Sequence, residues 1–245
     1  MYKRFIKLPC ISLMLMMISA PAFAYEEKRV QGSVADIPGG WDHLFNEMLI
    51  DITVIGVIFA LITIYLLIRY RRKYKGQNGN PPRLSTPAAI AWAVIPVFIF
   101  LADDYYLAAE GWSLWNDIRR VPENAYEVKV DARMWSWHFT YPDGVETFNE
   151  LRVPVGTPVV VRMTSADVIH SFFIPDFRVK EDVMPGRVTY VWFYPKEAGE
   201  YLITCAEYCG VMHSGMKGTI IAMPKVEFDK WHETEKKNLN AEGGA

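Results

Sequence analysis

Pro122-Glu123-Asn124-Ala125-Tyr126-Glu127-Val128-Lys129-Val130-Asp131 is the stretch at which this 245-residue chain changes character. Before it the apolar residues come in nearly unbroken runs. From Tyr126 onward they alternate, with Tyr126, Val128 and Val130 on one face and Glu127, Lys129 and Asp131 on the other. Period-two alternation is the pattern of a half-buried strand. Similar runs recur at residues 134–141, 157–164, 187–194, 201–205 and 217–223. Between them stand Pro142-Asp143-Gly144, Pro154-Val155-Gly156, Pro185-Gly186 and Glu197-Ala198-Gly199, whose Pro and Gly supply the backbone angles that turns demand. Short strands at such spacing predict a β-sandwich over residues 125–224, followed by a charged helix and tail over 225–245.

Upstream the pattern is that of a membrane. Residues 48–68 are apolar apart from Asp51 and two threonines, about the ~20 residues that cross a bilayer. They lead into Arg69, Arg71, Arg72, Lys73 and Lys75, and the connector as far as Arg83 holds no acid, which is the bias of a cytoplasmic loop. A second apolar run over 87–102 is too short to span alone and is expected to continue to about Ala109, placing Asp103 and Asp104 near the outer interface. There they are either sheltered by a neighbouring protein or seated in the headgroup region beside Tyr105, Tyr106, Trp112 and Trp115. The expected spans are 46–70 and 86–109, joined by a cytoplasmic loop over 71–85, with 110–124 as a linker and both termini outside.

Residues 1–24 read as a secretory signal: Lys3, Arg4 and Lys7, then an apolar stretch, then Ala22-Phe23-Ala24. The segment 25–45 would follow on the outer side, and Cys10 would leave with the signal. A formal net charge of −2 gives no support to nucleic-acid binding, because no cationic excess exists to neutralise phosphates. A mean hydropathy of +0.05 suits a mixture of membrane-embedded and water-exposed parts.

The chemistry concentrates in Cys205-Ala206-Glu207-Tyr208-Cys209-Gly210-Val211-Met212-His213-Ser214-Gly215-Met216, with His170 upstream. Two thiolates, two imidazoles and a thioether form a soft ligand set, suited to copper rather than magnesium, calcium or manganese. A mononuclear blue-copper loop uses one Cys; the second here can bridge a pair of ions. His170 and His213 would then complete the metal planes, with Met216 and the Glu207 carbonyl at the weak positions. Such a site has no open position and passes electrons without binding substrate. Two other readings stand beside this one. The cysteines could form a disulfide, as in many exported proteins, leaving both histidines and Met216 without a role. Zinc on two Cys and two His is the second, with Met216 idle.

At these residues the chain resembles subunit II of the haem-copper cytochrome c oxidases, whose CuA loop C-x-E-x-C-x3-H-x2-M is matched in full. The resemblance implies a membrane-anchored all-β protein: a two-helix transmembrane hairpin followed by a cupredoxin-like Greek-key sandwich or barrel. It implies a binuclear copper centre in which His170 and Met216 bind one copper, His213 the other, Cys205 and Cys209 bridge, and the Glu207 carbonyl binds. It also implies a magnesium ion reached by the Glu207 side chain at the boundary with subunit I. Trp135, within Met134-Trp135-Ser136-Trp137, corresponds to the family's tryptophan through which electrons arrive. Asp167 and Asp182 fall where the family carries acids for cytochrome docking or the subunit boundary, and Arg178 and Arg187 where haem propionates could be met. His43, His138 and His232 match no ligand position. The implied partners are subunit I and other oxidase subunits, cytochrome c and membrane lipid. The implied location is the bacterial inner membrane with the copper domain on the outer side.

One departure stands out: Ala89 lies where many members carry a Glu at the mouth of a proton channel, three residues before a Trp matched by Trp92. No C-x-x-C-H haem motif is present. The copper subunit of a nitric-oxide reductase would share every ligand, and a copper chaperone or assembly protein is the rival of another class. A quinol oxidase subunit is disfavoured, since such relatives lack the ligands.

Overall fold

The computed structural model describes residues 28–31, 34–79 and 83–242. The signal segment expected at 1–24 lies outside them. Strand β1 (Lys28–Val30) precedes two long helices, α1 (Ile37–Arg69) and α2 (Thr86–Arg119). Asp36 caps α1 by accepting the Gly39 N–H at 3.3 Å, and a proline occupies the first turn of each helix, where its missing N–H costs no intrahelical bond. Both helices outrun the expected spans, α1 at its start and α2 at its end. With 33 and 34 residues each runs to ~50 Å, more than the ~30 Å of bilayer hydrocarbon. Much of the segment read as a linker over 110–124 is therefore helix.

The two helices form an antiparallel hairpin whose apolar side chains are largely exposed. Some polar residues in the half nearer the sandwich face the seam instead. Tyr106 donates to both oxygens of Glu47 at 3.0 Å, and the Asp103 carboxyl lies against that of Asp51.

Strand β2 (Arg120–Pro122) pairs in parallel with β1 and delivers the chain to the sandwich. The strands that follow are β3 (Tyr126–Arg133), β4 (Ser136–Thr140), β5 (Glu146–Phe148), β6 (Glu150–Pro154), β7 (Val159–Ser165) and β8 (His170–Ile174). Then come β9 (Val179–Val183), β10 (Thr189–Phe193), β11 (Gly199–Cys205) and β12 (Lys217–Met223), and finally helix α3 (Lys225–Glu242). One sheet has the order β10-β7-β3-β4-β5, the other β6-β12-β11-β8-β9. Their inner faces meet in a core of Val128, Val130, Trp137, Phe139, Val161, Met163, Phe172, Ile174, Ile203 and Ile220, all buried. The expected β-sandwich is thus present, with the predicted alternation visible in β3.

Trp137 is the pivot of this core. It is fully buried, meets Phe172 edge-on at 5.1 Å between centroids, and lies 6.1 Å from the His170 ring. Truncating such a side chain to Ala costs about 3–5 kcal/mol. Hairpin and sandwich are joined by ion pairs. Arg119–Glu181 at 2.8 Å is mostly enclosed, whereas Arg178–Asp42 at 2.9 Å and Lys196–Asp36 at 2.8 Å are more than half exposed. An exposed pair contributes at most about 1 kcal/mol, so the enclosed pair carries more of the join.

Candidate metal centre

The chemistry-bearing residues come from two adjacent strands and the loop that follows one of them. His170 opens β8, Cys205 closes β11, and the loop 206–216 returns to β12. Backbone bonds pin the loop: the Ala206 N–H donates to the Ser171 carbonyl at 2.9 Å and the Cys205 N–H to the Met216 carbonyl at 3.1 Å. The second of these sets Met216 beside Cys205 although eleven positions separate them. A short 3-10 turn, His213–Gly215, aims the imidazole inward.

The result is a compact donor cluster. The Cys205 and Cys209 sulfurs are 3.8 Å apart, and the nearest ligand atoms of His170, Cys205 and Cys209 all lie within 4.8 Å of one another. His170 Nδ1 is 3.9 Å from the Cys205 sulfur, His213 Nδ1 is 3.6 Å from the Cys209 sulfur, and Met216 Sδ is 3.7 Å from the latter. The Glu207 carbonyl approaches Cys205 Sγ at 3.1 Å, while its side chain is exposed. All six residues singled out from the loop motif and His170 are therefore brought together.

The sulfur separation discriminates between readings. A disulfide needs ~2.05 Å, so these thiols are not joined. Two metal–sulfur bonds of ~2.3 Å span at most ~4.6 Å, so both sulfurs can reach a shared metal. Burial is the first cause that pushes the Cys209 thiol up to about 12, with the neighbouring Cys205 adding to it. Without metal this thiol keeps its proton, and a soft cation must displace it.

His170 is completely buried and held from behind. Its Nε2 lies 2.8 Å from Asp167 Oδ1, which leaves Nδ1 facing the sulfurs. Burial alone would raise the Asp167 carboxyl, but the Met134 N–H, His170 and the Val168 N–H together bring it down to about 2. Asp167 is therefore engaged within the domain, by two backbone N–H groups and the His170 ring. Asp182 is likewise engaged, accepting from Ser171 Oγ at 2.8 Å. The Asp-x-x-His spacing was the one signal in the sequence for the Asp167 contact.

Trp135 lies against the loop. A Cβ on Gly210 would stand 3.4 Å from both Cζ2 and Nε1 of the indole, and Gly210 itself has φ +118°. Arg187 is exposed and Arg178 is bound to Asp42. The remaining histidines stay outside the cluster. His43 lies 3.4 Å from Glu47, His138 packs on Phe148 at 4.4 Å, and His232 binds Asp143 at 2.9 Å, tying α3 to the sandwich.

A cupredoxin-like sandwich on a two-helix anchor, with thiolates, imidazoles and a thioether gathered in one loop, defines a class of membrane-anchored copper domains. A family model described as cytochrome c oxidase subunit II, periplasmic domain, matches residues 144–223. Cytochrome c oxidase subunit 2 of Synechocystis is 28% identical, covering 78% of this chain and 70% of its own length. The alternative cytochrome c oxidase subunit 2 of Bradyrhizobium diazoefficiens is 26% identical over 82% of this chain and 83% of its own. Among solved structures, the periplasmic domain of subunit II of cytochrome oxidase from Bradyrhizobium japonicum is 35% identical. It covers 48% of this chain and 98% of that one, with a TM-score of 0.46. The chain belongs to the cytochrome c oxidase subunit II family.

Proposed function

We propose that this chain is the electron-accepting subunit of a respiratory cytochrome c oxidase, receiving electrons from cytochrome c on the outer side of the membrane. The observation that carries the reading is the pair of unjoined sulfurs at 3.8 Å with an imidazole beside each. When bound, a pair of coppers would supply a one-electron acceptor whose charge change is shared between the ions. His170, Cys205, Cys209, His213, Met216 and the Glu207 carbonyl would hold them, and the buried, hydrogen-bonded frame would keep ligand movement small. Trp135, packed on Gly210, is the point of electron arrival.

The helices α1 and α2 span the bilayer with the basic loop inside, so both termini and the copper domain face outward. Functional units follow the boundaries read from sequence, with the membrane segments at 46–70 and 86–109. The exposed Glu207 side chain offers a carboxylate to a magnesium ion at the boundary with subunit I. Electrons leave toward haem in subunit I, where dioxygen is reduced to water with proton translocation.

Rapid mixing of the intact complex with reduced cytochrome c tests this order of events. Copper absorbance should change before haem absorbance, and the purified chain loaded with copper alone should consume no oxygen. Haem reduction preceding copper, or oxygen turnover by the lone subunit, would overturn the reading.

A further inference from the structure

The two acids that the sequence suggests as docking groups are both occupied inside the domain. Asp167 holds the Met134 N–H, the Val168 N–H and His170, and Asp182 holds Ser171. What the loops around the donor cluster present to solvent is apolar. Val211 is 89% exposed and Tyr208 75%, and Met134, Val168, Ile169 and Met212 are exposed beside them.

These side chains belong to one surface. Gly210 abuts both Trp135 and the Met134 thioether, Asp167 ties Met134 to Val168, and the Tyr208 ring faces that of His213 at 5.8 Å. The charges beside these side chains are already engaged: Arg133 is paired with Asp131 at 3.0 Å, and the Asp167 carboxylate is taken up by the Met134 and Val168 N–H groups and His170. A contiguous apolar patch with no field of one sign marks a contact surface that works by desolvation. Its continuity with the metal loop says what lands there, because a carrier must bring its cofactor close to Trp135.

We infer that the electron carrier for this site is a small soluble redox protein whose cofactor edge is ringed by apolar side chains. It docks on Met134, Val168, Tyr208, Val211 and Met212 without pairing of opposite charges. The inference rests on the electron-accepting role proposed above and names the class of partner. Its physical consequence is insensitivity to salt, since screening acts on charge and leaves apolar contact unaffected. Association should run in the unsteered range of about 10⁵–10⁶ M⁻¹s⁻¹ rather than the steered range near 10⁸–10⁹.

The test is stopped-flow reduction of the intact, copper-loaded complex by two probes: a lysine-ringed cytochrome c and a cytochrome c of near-neutral, apolar haem rim. Rates are compared at roughly 20 and 200 mM salt. The apolar-rimmed probe should react faster at both, with a change below about two-fold between them. Val211→Asp and, independently, Val168→Asp should each slow its bimolecular step about ten-fold, the copper resonance signal serving as the check that the centre is intact. A lysine-ringed probe that is faster at low salt and loses most of its rate at high salt would overturn the inference. So would failure of these variants to assemble with partner subunits, which would show the face covered within the complex. If a variant loses its copper signal, the salt comparison on the unaltered complex decides. Copper content and signal in that complex test the electron-accepting role separately, so the two readings can fail independently.

Discussion

Asp167 Oδ1 lies 2.8 Å from His170 Nε2, and through that contact an acid in the connection between β7 and β8 decides which imidazole nitrogen faces the sulfurs. The same carboxylate also receives the Met134 N–H at 2.7 Å, so one group fixes both the buried imidazole and the strand end that carries Trp135.

Asp167→Ala removes this anchor while leaving every proposed ligand in place. Outer-sphere partners of metal-bound histidines are commonly worth about 10–100-fold in affinity. Copper competition against a chelator should show a loss of that size. An unchanged affinity would mean that packing around the buried ring suffices to orient it.

The sulfurs of Cys205 and Cys209 are unjoined but close, on a domain proposed to face an oxidising compartment. Closing them to ~2.05 Å would consume both bridging groups. Protein treated with a thiol oxidant should therefore take up no copper until a reductant is added, as copper analysis before and after reduction would show. Uptake by the oxidised form would contradict the bridging role.

Gly210 combines φ +118° with a close approach to the Trp135 indole. Gly210→Ala adds backbone strain of about 1–3 kcal/mol and a methyl group at the contact. The thermal midpoint should fall, and reduction by the donor should slow more than copper content falls. Equal rates would argue that Trp135 is a packing residue.

The C-terminal helix α3 carries a pH dependence. Burial raises the Asp143 carboxyl, but His232 at 2.9 Å and Lys236 outweigh it, so its folded value lies below the ordinary one. A carboxyl depressed on folding contributes stability above its unfolded value, near ~3.9, and loses it as pH falls through the folded value. Trp231 emission should report loosening of α3 below about pH 4, and Asp143→Asn should remove that step. An identical acid profile in the variant would place the transition elsewhere.

Why some of this was legible in the sequence and some not is a matter of local against distant contacts. Strand β3 shows its alternation because one face is buried and the other wet, and the hairpin shows itself because lipid demands apolar residues all round. Strand β8 carries no such pattern: His170, Ser171, Phe172 and Ile174 are all buried, so covering on both faces hides the period. Strand β5, three residues long, was hidden by length. The donor cluster was readable because five of its six residues lie in one loop, whereas the contact of Asp182 with Ser171 was not, because it joins two neighbouring strands.

Electron paramagnetic resonance of the copper-loaded complex, joined to copper analysis, tests the binuclear centre most directly. One unpaired electron shared by two equivalent copper nuclei, with two coppers per copy of this chain beyond those held by its partners, is the expected result. A spectrum from a single copper nucleus, or a disulfide between Cys205 and Cys209 in the working complex, would contradict it.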